Sequence, residues 1–593
     1  MMENKIRVTA AKIIQHLYQT EFAADKIQIN KTPENFTGDL TIVVFPFVKI
    51  SKKSPDITAN EIATELMKEI PEIISFNVVK GFLNLVFSDN FWLSDFKTFS
   101  ADKNFGTLPS NGKKVMVEYC GPNTNKPLHL GHLRNIFLGF SVAEILTAAG
   151  NEVVKVNIIN DRGIHICKSM LAYQKFGNGE TPKSSGIKGD HLVGKYYVKF
   201  DAENKKQIEE LVNGGMEKET AEKETPMMKE VNEMLVNWER GDKVVHELWS
   251  KMNGWVYDGF EQTFKKIGND FRKNYYESET YLLGKKIVEE GLEKNVFYKK
   301  DDGSAWIDLR PDGLDEKIVL RSNGTSVYIT QDIGTAQMKF DDFGCVTSIY
   351  VVADEQNYHF KVLKLICQKL KKVFADGIYH LNYGMVDLPT GKMKSREGTV
   401  VDADDLIQEM NEEAERTTRA LGKTENFSDE ELKNLFHTLG MGALKYFIMK
   451  VEPKKRMVFD PKESIDFHGN TGPFIQYTHA RICSVLRKFA SMNPNANANF
   501  SIEKLDVIEK NLIQQLSRYP AAVKEASEKY EPSTIANYVY ELAKLFNHFY
   551  AELPILKCED GNHQALRVAL CETTAATISK AMKLLGITVP ERM

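Results

Sequence analysis

The run from residue 114 to 159 constrains the fold most, because two apolar strand-like segments bracket a helical one. "KVMVEYC" (114–120) reads as a strand. "HLGHLRNIFLGFSVAEILTAAG" reads as a helix beginning near its second histidine, with Leu133, Ile136, Phe137 and Phe140 on one face and Gly150 as its stop; "EVVKVNIIN" supplies another strand. A strand, helix, strand order predicts a parallel α/β sheet, Rossmann-like in layout. Strand-like runs return at "SVYIT", "CVTSIYVVAD" and "GIYHLNYGMV", with the helix "KVLKLICQKLKKVF" between the last two, and complete that sheet.

The 593 residues suffice for three or four domains. Residues 1–105 are expected to form a separate α+β unit, opening with an amphipathic helix and holding the strand-like "DLTIVVFPFV" and "GFLNLVFS", with "ADKNFGTLPSNGKK" as linker. The sheet domain then spans 106–176 and 276–400, interrupted over 177–275 by a charged, helix-forming insertion whose charges read as a solvated face. Helical spacing predicts a junction over 401–454 and an all-helical domain over 455–593.

Composition excludes several classes. No run of about eighteen apolar residues and no signal-peptide pattern appears, so a cytoplasmic protein without membrane contact is expected. Seven cysteines without a C-x-x-C pair argue against a zinc knuckle and against a disulfide framework. A net charge of −4 makes no general polyanion binder, although a local basic surface can sit on a neutral average.

In "NTNKPLHLGHLRN", a strand ends, Gly121 and Pro122 turn, and a helix follows. Ligands of open parallel sheets bind beyond the carboxyl ends of the strands, where a helix N-terminus favours anions. His129 and His132 could donate to phosphate oxygens while Gly131 lets the group approach; capping or packing histidines fit equally, and a metal lacks a third ligand. In "LPTGKMKSREGTVV" (388–401), Lys392, Lys394, Ser395 and Arg396 form a cationic, glycine-flanked segment. Alone it reads as a solvated loop. Together the two elements suit an ATP site that stabilises a transferring adenylyl group electrostatically.

"HLGH" resembles the HIGH signature of class I aminoacyl-tRNA synthetases and "KMKSREG" a variant of their KMSKS loop. "EYCGPNTNKPLHLGHLRN", "YITQDIGTA", "IYVVADEQNYHF", "GNTGPFIQYTHAR" and "LLGITVPERM" are similar to the arginyl-tRNA synthetases, over most of the chain from about 114 and less strongly before it. The resemblance implies L-arginine, ATP with Mg2+ and tRNA(Arg) as partners, no zinc, no covalent cofactor, and a monomer. It implies that His129 and His132 stabilise charge on the phosphoryl oxygens and that Lys394 holds the β- and γ-phosphates. Gly391 stands where the family's first loop lysine would be, so Lys126 or Lys392 takes that place. Ser395 and Gly131 fall in the same ATP motifs, Gly384, Met385 and Val386 border the adenine, and His359 lies near the ribose.

For arginine, the resemblance assigns Asp332 and Tyr328 to the guanidinium and Glu118, Asn123 and Gln356 to the rest of the ligand. Read singly, Glu118 would serve as a strand-end partner for a neighbouring lysine, Tyr328 as a core aromatic and Gln356 as a helix cap. The helical C-terminal region resembles the family's anticodon-binding domain, with Phe474 and Tyr477 as base-stacking aromatics and Met593 in a packed terminus. The first unit resembles its tRNA-elbow domain, with Phe82 and Asn84 as contacts. The competing readings are a catalytically silent tRNA-binding protein, a metabolic adenylyltransferase, and a synthetase for another amino acid. Intact His129, His132 and Lys394 weigh against the first, and the two extra domains against the second.

Overall fold

A computed structural model describes residues 2–33, 35–325, 327–387, 389, 401–420, 422, 427–493 and 500–593, so Lys392, Lys394 and Ser395 lie outside the described residues. The chain divides into two compact units, the first comprising Met1–Phe105, Phe489–Arg518 and Leu545–Thr574 and the second the remainder.

In the first unit, β1 (Ile29–Lys31), β2 (Leu40–Val43), β3 (Ile73–Val79) and β4 (Phe82–Phe87) form an antiparallel sheet of order β1-β2-β4-β3. Lys80 and Gly81, at φ 49° and 78°, make the two-residue turn of the β3–β4 hairpin, where two left-handed residues match the strand twist. The Met2–Tyr18 helix buries Ile6, Ala10 and Ile14, one turn apart, as its apolar periodicity requires. "DLTIVVFPFV" ends as a strand at Val43, because Pro46 opens the Phe45–Ser51 helix near its N-terminus, where its missing N–H has no bond to lose. Asp39 ties in the helical segment from 507 onward: its Oδ1 accepts from Gln514 Nε2 at 2.8 Å and its Oδ2 from the Phe87 N–H at 2.7 Å.

The second unit is built on five parallel strands. β5 (Lys114–Glu118) lies at the centre, β6 (Glu152–Ile159) and β7 (Lys273–Tyr276) extend one side, and β11 (Thr347–Ala353) and β12 (Ile378–Tyr383) the other, giving the order β12-β11-β5-β6-β7. The chain reverses its direction of winding between β5 and β11, which makes the crevice above their carboxyl ends the place for a ligand. Three short antiparallel strands, β8 (Tyr298–Lys299), β9 (Ala305–Ile307) and β10 (Lys317–Leu320), intervene, and β13 (Val386–Asp387) pairs in parallel with β14 (Met457–Val458). From Ala403 the elements are helical except for β14.

Two sequence expectations change. "SVYIT" is no strand: Tyr328 starts a helix to Phe343, and Thr330 Oγ1 donates to the Val319 carbonyl at 2.6 Å, holding that start on β10. β7 lies in the charged stretch expected to be a helical insertion; its four residues "KNYY" are too few to alternate visibly.

Candidate active site

At the end of β5 the backbone turns through Cys120 and Gly121, at φ 81° and 59°. This left-handed pair frees two N–H groups for side chains, the Cys120 N–H reaching Asn135 Oδ1 at 2.6 Å and the Gly121 N–H reaching Asn157 Oδ1 at 3.1 Å. Asn135 Nδ2 in turn donates to the Val351 carbonyl at 2.8 Å and to the Tyr383 hydroxyl at 3.1 Å. One helical side chain thereby ties β5 to β11 and β12 beside the crevice. Arg134, its neighbour, is buried and donates to the Pro453 and Lys455 carbonyls at 3.1 and 2.8 Å.

The helix begins at Leu130, not at the second histidine, and His129 is its N-cap. The His129 N–H donates to His132 Nδ1 at 3.1 Å, so that nitrogen is the acceptor and the His132 proton sits on Nε2. The two rings lie 3.8 Å apart between centroids, and His129 Nδ1 is buried without a hydrogen-bond partner. A Cβ at position 131 would stand 3.0 Å from His129 Cε1, so Gly131 leaves space for the ring.

Burial keeps both imidazoles neutral. It lowers His129 to about 3 and drives His132 well below its ordinary value, the Lys126 charge adding to both. Lys126 is itself lowered by burial. The pair therefore offers neutral N–H dipoles at a helix N-terminus beside a lysine, an arrangement suited to oxygens that gain negative charge. Lys126, His129, His191 and Asp402 line a cavity of about 220 Å3 there.

A second group of residues gathers acids. Asp332, one turn into the Tyr328–Phe343 helix, accepts from His359 Nε2 at 2.6 Å. The sequence had assigned these two to different ligands. Tyr328 is 75% exposed at the start of that helix, which sets aside its reading as a core aromatic. Gln356 ends the short 3-10 turn after β11, and Asn123 is exposed and bridges to Asn160 after β6. Glu118 pairs through Oε2 with the buried Lys339, so the strand-end role weighed for it is real.

Sequence reasoning missed Glu277, which follows β7 as Glu118 closes β5. Burial pushes its carboxyl up to about 6, opposed by the Arg162 cation and helped by the Asp161 and Asp332 charges. Its signal was an acid directly at a strand end, hidden by the charged context of that stretch.

Other expected contacts are placed as follows. The Gly384 N–H donates to the Pro453 carbonyl at 2.9 Å, the Met385 carbonyl accepts from Met457 at 3.2 Å, and Val386 pairs with Met457, so this segment is held against 453–458. Phe82 is exposed, but Asn84 is 1% exposed and accepts from Thr41 Oγ1 at 2.6 Å. Asn84 is thus a hydrogen-bonding member of the sheet core, not a surface contact. Phe474 and Tyr477 are half-buried, packing on Tyr540 and Phe467 at 5.6 and 6.4 Å. Ahead of Met593, the Thr588 carbonyl accepts from Gln476 at 2.7 Å and the Pro590 carbonyl bonds His479 at 2.9 Å, which fixes the terminal segment to the Gly472–Met492 helix.

Comparison with known proteins bears on this geometry. Residues 97–460 match the family model of the class I (R) tRNA synthetase catalytic domain, and residues 475–593 that of the DALR anticodon binding domain. The chain is 53% identical over 590 residues to an arginine–tRNA ligase of Amoebophilus asiaticus, covering 99% of each, and 52% identical over 598 residues to one of Bacteroides fragilis, covering 100% of each. The solved arginyl-tRNA synthetase of Thermus thermophilus superposes with a TM-score of 0.82 over 100% of both chains at 24% identity, a likeness of fold.

Proposed function

The chain belongs to the class I arginine–tRNA ligases, and from that premise we propose how its side chains divide the reaction. The enzyme activates L-arginine with ATP to arginyl-adenylate, then transfers the arginyl group to the 3'-terminal ribose of its tRNA, releasing AMP and diphosphate. The observation that carries the assignment is the pair of neutral histidines at the start of the helix after β5.

The arginine carboxylate attacks the α-phosphorus in line, and pyrophosphate leaves. His129 and His132 donate N–H groups to oxygens whose charge grows in that step, and no protein nucleophile takes part. Lys126 holds the β- and γ-phosphates together with Lys394, Lys392 being the alternative to Lys126, and Ser395 belongs to the same ATP motif by sequence. Gly384, Met385 and Val386 border the adenine. Mg2+ arrives as counter-ion of the nucleotide, not in a protein cage. Support for this comes from the described residues, where the acid and histidine cluster of Asp190, His191 and Asp404 already receives the Lys188 ammonium.

On the amino-acid side, Asp332 and Tyr328 face the guanidinium, and Glu277 adds a second negative charge. Five fixed N–H donors on a permanent cation demand such acceptors, and an acid left unpaired penalises neutral side chains. Glu118, Asn123 and Gln356 hold the remainder of the ligand, and His359 steadies Asp332. On the tRNA side we assign Phe82 to the elbow and Phe474, Tyr477 and the segment ending at Met593 to the anticodon arm. One copy carries the whole set, so a monomer suffices. The cytoplasm is the proposed site of action, from the family's part in protein synthesis. Among the described residues no helix is long and apolar enough to cross a membrane.

A pH series tests the acid pocket. Glu277 is ionised above about 6 and protonated below, so KM for arginine is expected to rise as pH falls through that value while KM for ATP stays level. Glu277→Gln should raise KM for arginine and remove the pH step. An unchanged step in that variant removes Glu277 from the pocket.

A further inference from the structure

The helices inserted between β6 and β7 take no part in the division of labour above, yet they meet the ATP side at two places. The Gly189–Asn213 helix packs against the histidine segment so closely that a Cβ at Gly194 would stand 2.8 Å from Pro127 Cδ. At its start, Lys188 Nζ lies 2.6 Å from Asp404 Oδ2, 2.6 Å from Thr263 Oγ1 and 3.0 Å from Asp190 Oδ2. His191 Nε2 stands 3.3 Å from Asp404 Oδ2 and 3.4 Å from Asp402 Oδ2, and Lys266 reaches Asp404 Oδ1 at 2.8 Å. Asp190 is 0% exposed, and Gly259 clears its space, since a Cβ there would stand 2.4 Å from Asp190 Oδ1.

Asp404 opens the Ala403–Ala420 helix, capped by Asp402 Oδ1 at 2.8 Å from the Asp404 N–H. The residues just before it bond to the histidine segment, the Leu130 N–H reaching the Val401 carbonyl at 3.1 Å and the Ala403 N–H reaching the Leu128 carbonyl at 3.0 Å. Val401 follows Lys394 by seven positions in the chain. Residues 401–403 and the entry of the histidine helix are therefore stitched together, and both are braced by one inserted helix.

We infer that Lys188 and Asp404 are positioning residues for ATP: they fix the chain at 401–404 against the residues flanking His129 and so hold the entry of the histidine helix in place. This rests on the assignment of His129 to the ATP phosphates. A mostly buried ion pair between helices contributes little net stability, because desolvation offsets attraction, but it specifies one register. A shift of about 1 Å at a reacting group can cost on the order of 10²-fold in rate.

The test is steady-state pyrophosphate exchange on the full chain in the presence of tRNA(Arg), with ATP and arginine varied separately. Lys188→Met should lower kcat/KM for ATP by roughly 10²-fold and leave KM for arginine unchanged. Lys188→Arg, which keeps a cation in the cluster, should recover most of the loss. If Lys188→Met does not fold, Asp404→Asn, nearly isosteric, is read in its place with the same expectation. Wild-type ATP kinetics in a folded variant would overturn the inference, as would ATP and arginine constants falling together with no rescue by arginine at position 188. Absence of arginine-dependent exchange in the wild-type chain would instead count against the proposed function.

Discussion

Replacing His132 by alanine is expected to lower kcat for adenylate formation by roughly 10²- to 10³-fold, the usual effect of removing one preorganised donor from a developing oxyanion. Its Nδ1 accepts the His129 N–H, which leaves Nε2–H as the donor, so His132→Asn should recover part of the rate through its own N–H. Because burial holds His129 at about 3 and His132 well below its ordinary value, neither should impose a break on the activation rate near 6.5. The sign for stability follows from the same shift. As pH falls below 6.5 the unfolded chain takes up protons that folded His129 refuses, so this contribution is complete above 6.5 and declines toward 3. A rate break near 6.5 that disappears in the alanine variant would show a charged imidazole at work.

Asp332→Asn is expected to lower kcat/KM for arginine on the order of 10²- to 10³-fold, with KM for ATP unchanged. The carboxylate accepts from His359 at 2.6 Å, which orients it, and the amide replaces an ionic acceptor by a neutral one carrying two donors. His359→Ala should cost less, since it removes the support and not the acceptor. Equal loss for arginine and ATP would move Asp332 out of the amino-acid pocket and make it a general structural residue.

Those parts of the molecule with local periodicity were legible in the sequence. β5, the Leu130–Ala148 helix and β6 each carry their burial pattern in consecutive residues, and the parallel order follows from chirality. What depends on partners distant in the chain was not. The pairing of Glu118 with Lys339, 221 positions on, leaves no mark near either residue. β7 and Glu277 lie in a stretch whose charges dominate any four-residue alternation. Asn84 sits in a strand whose residues 83 to 85 are all buried, so no alternation of apolar and polar residues marks which of them meets solvent. Likewise, residues 489–518 and 545–574 group with the first 105, and no helical pattern names its packing partner.

The second unit is expected to hold an arginine-selective adenylation site. ATP–pyrophosphate exchange, run with each proteinogenic amino acid in turn and with and without tRNA(Arg), tests it most directly. Exchange with arginine and not with the others, in the presence of the tRNA, is the predicted result. Exchange driven by lysine or glutamine would contradict it.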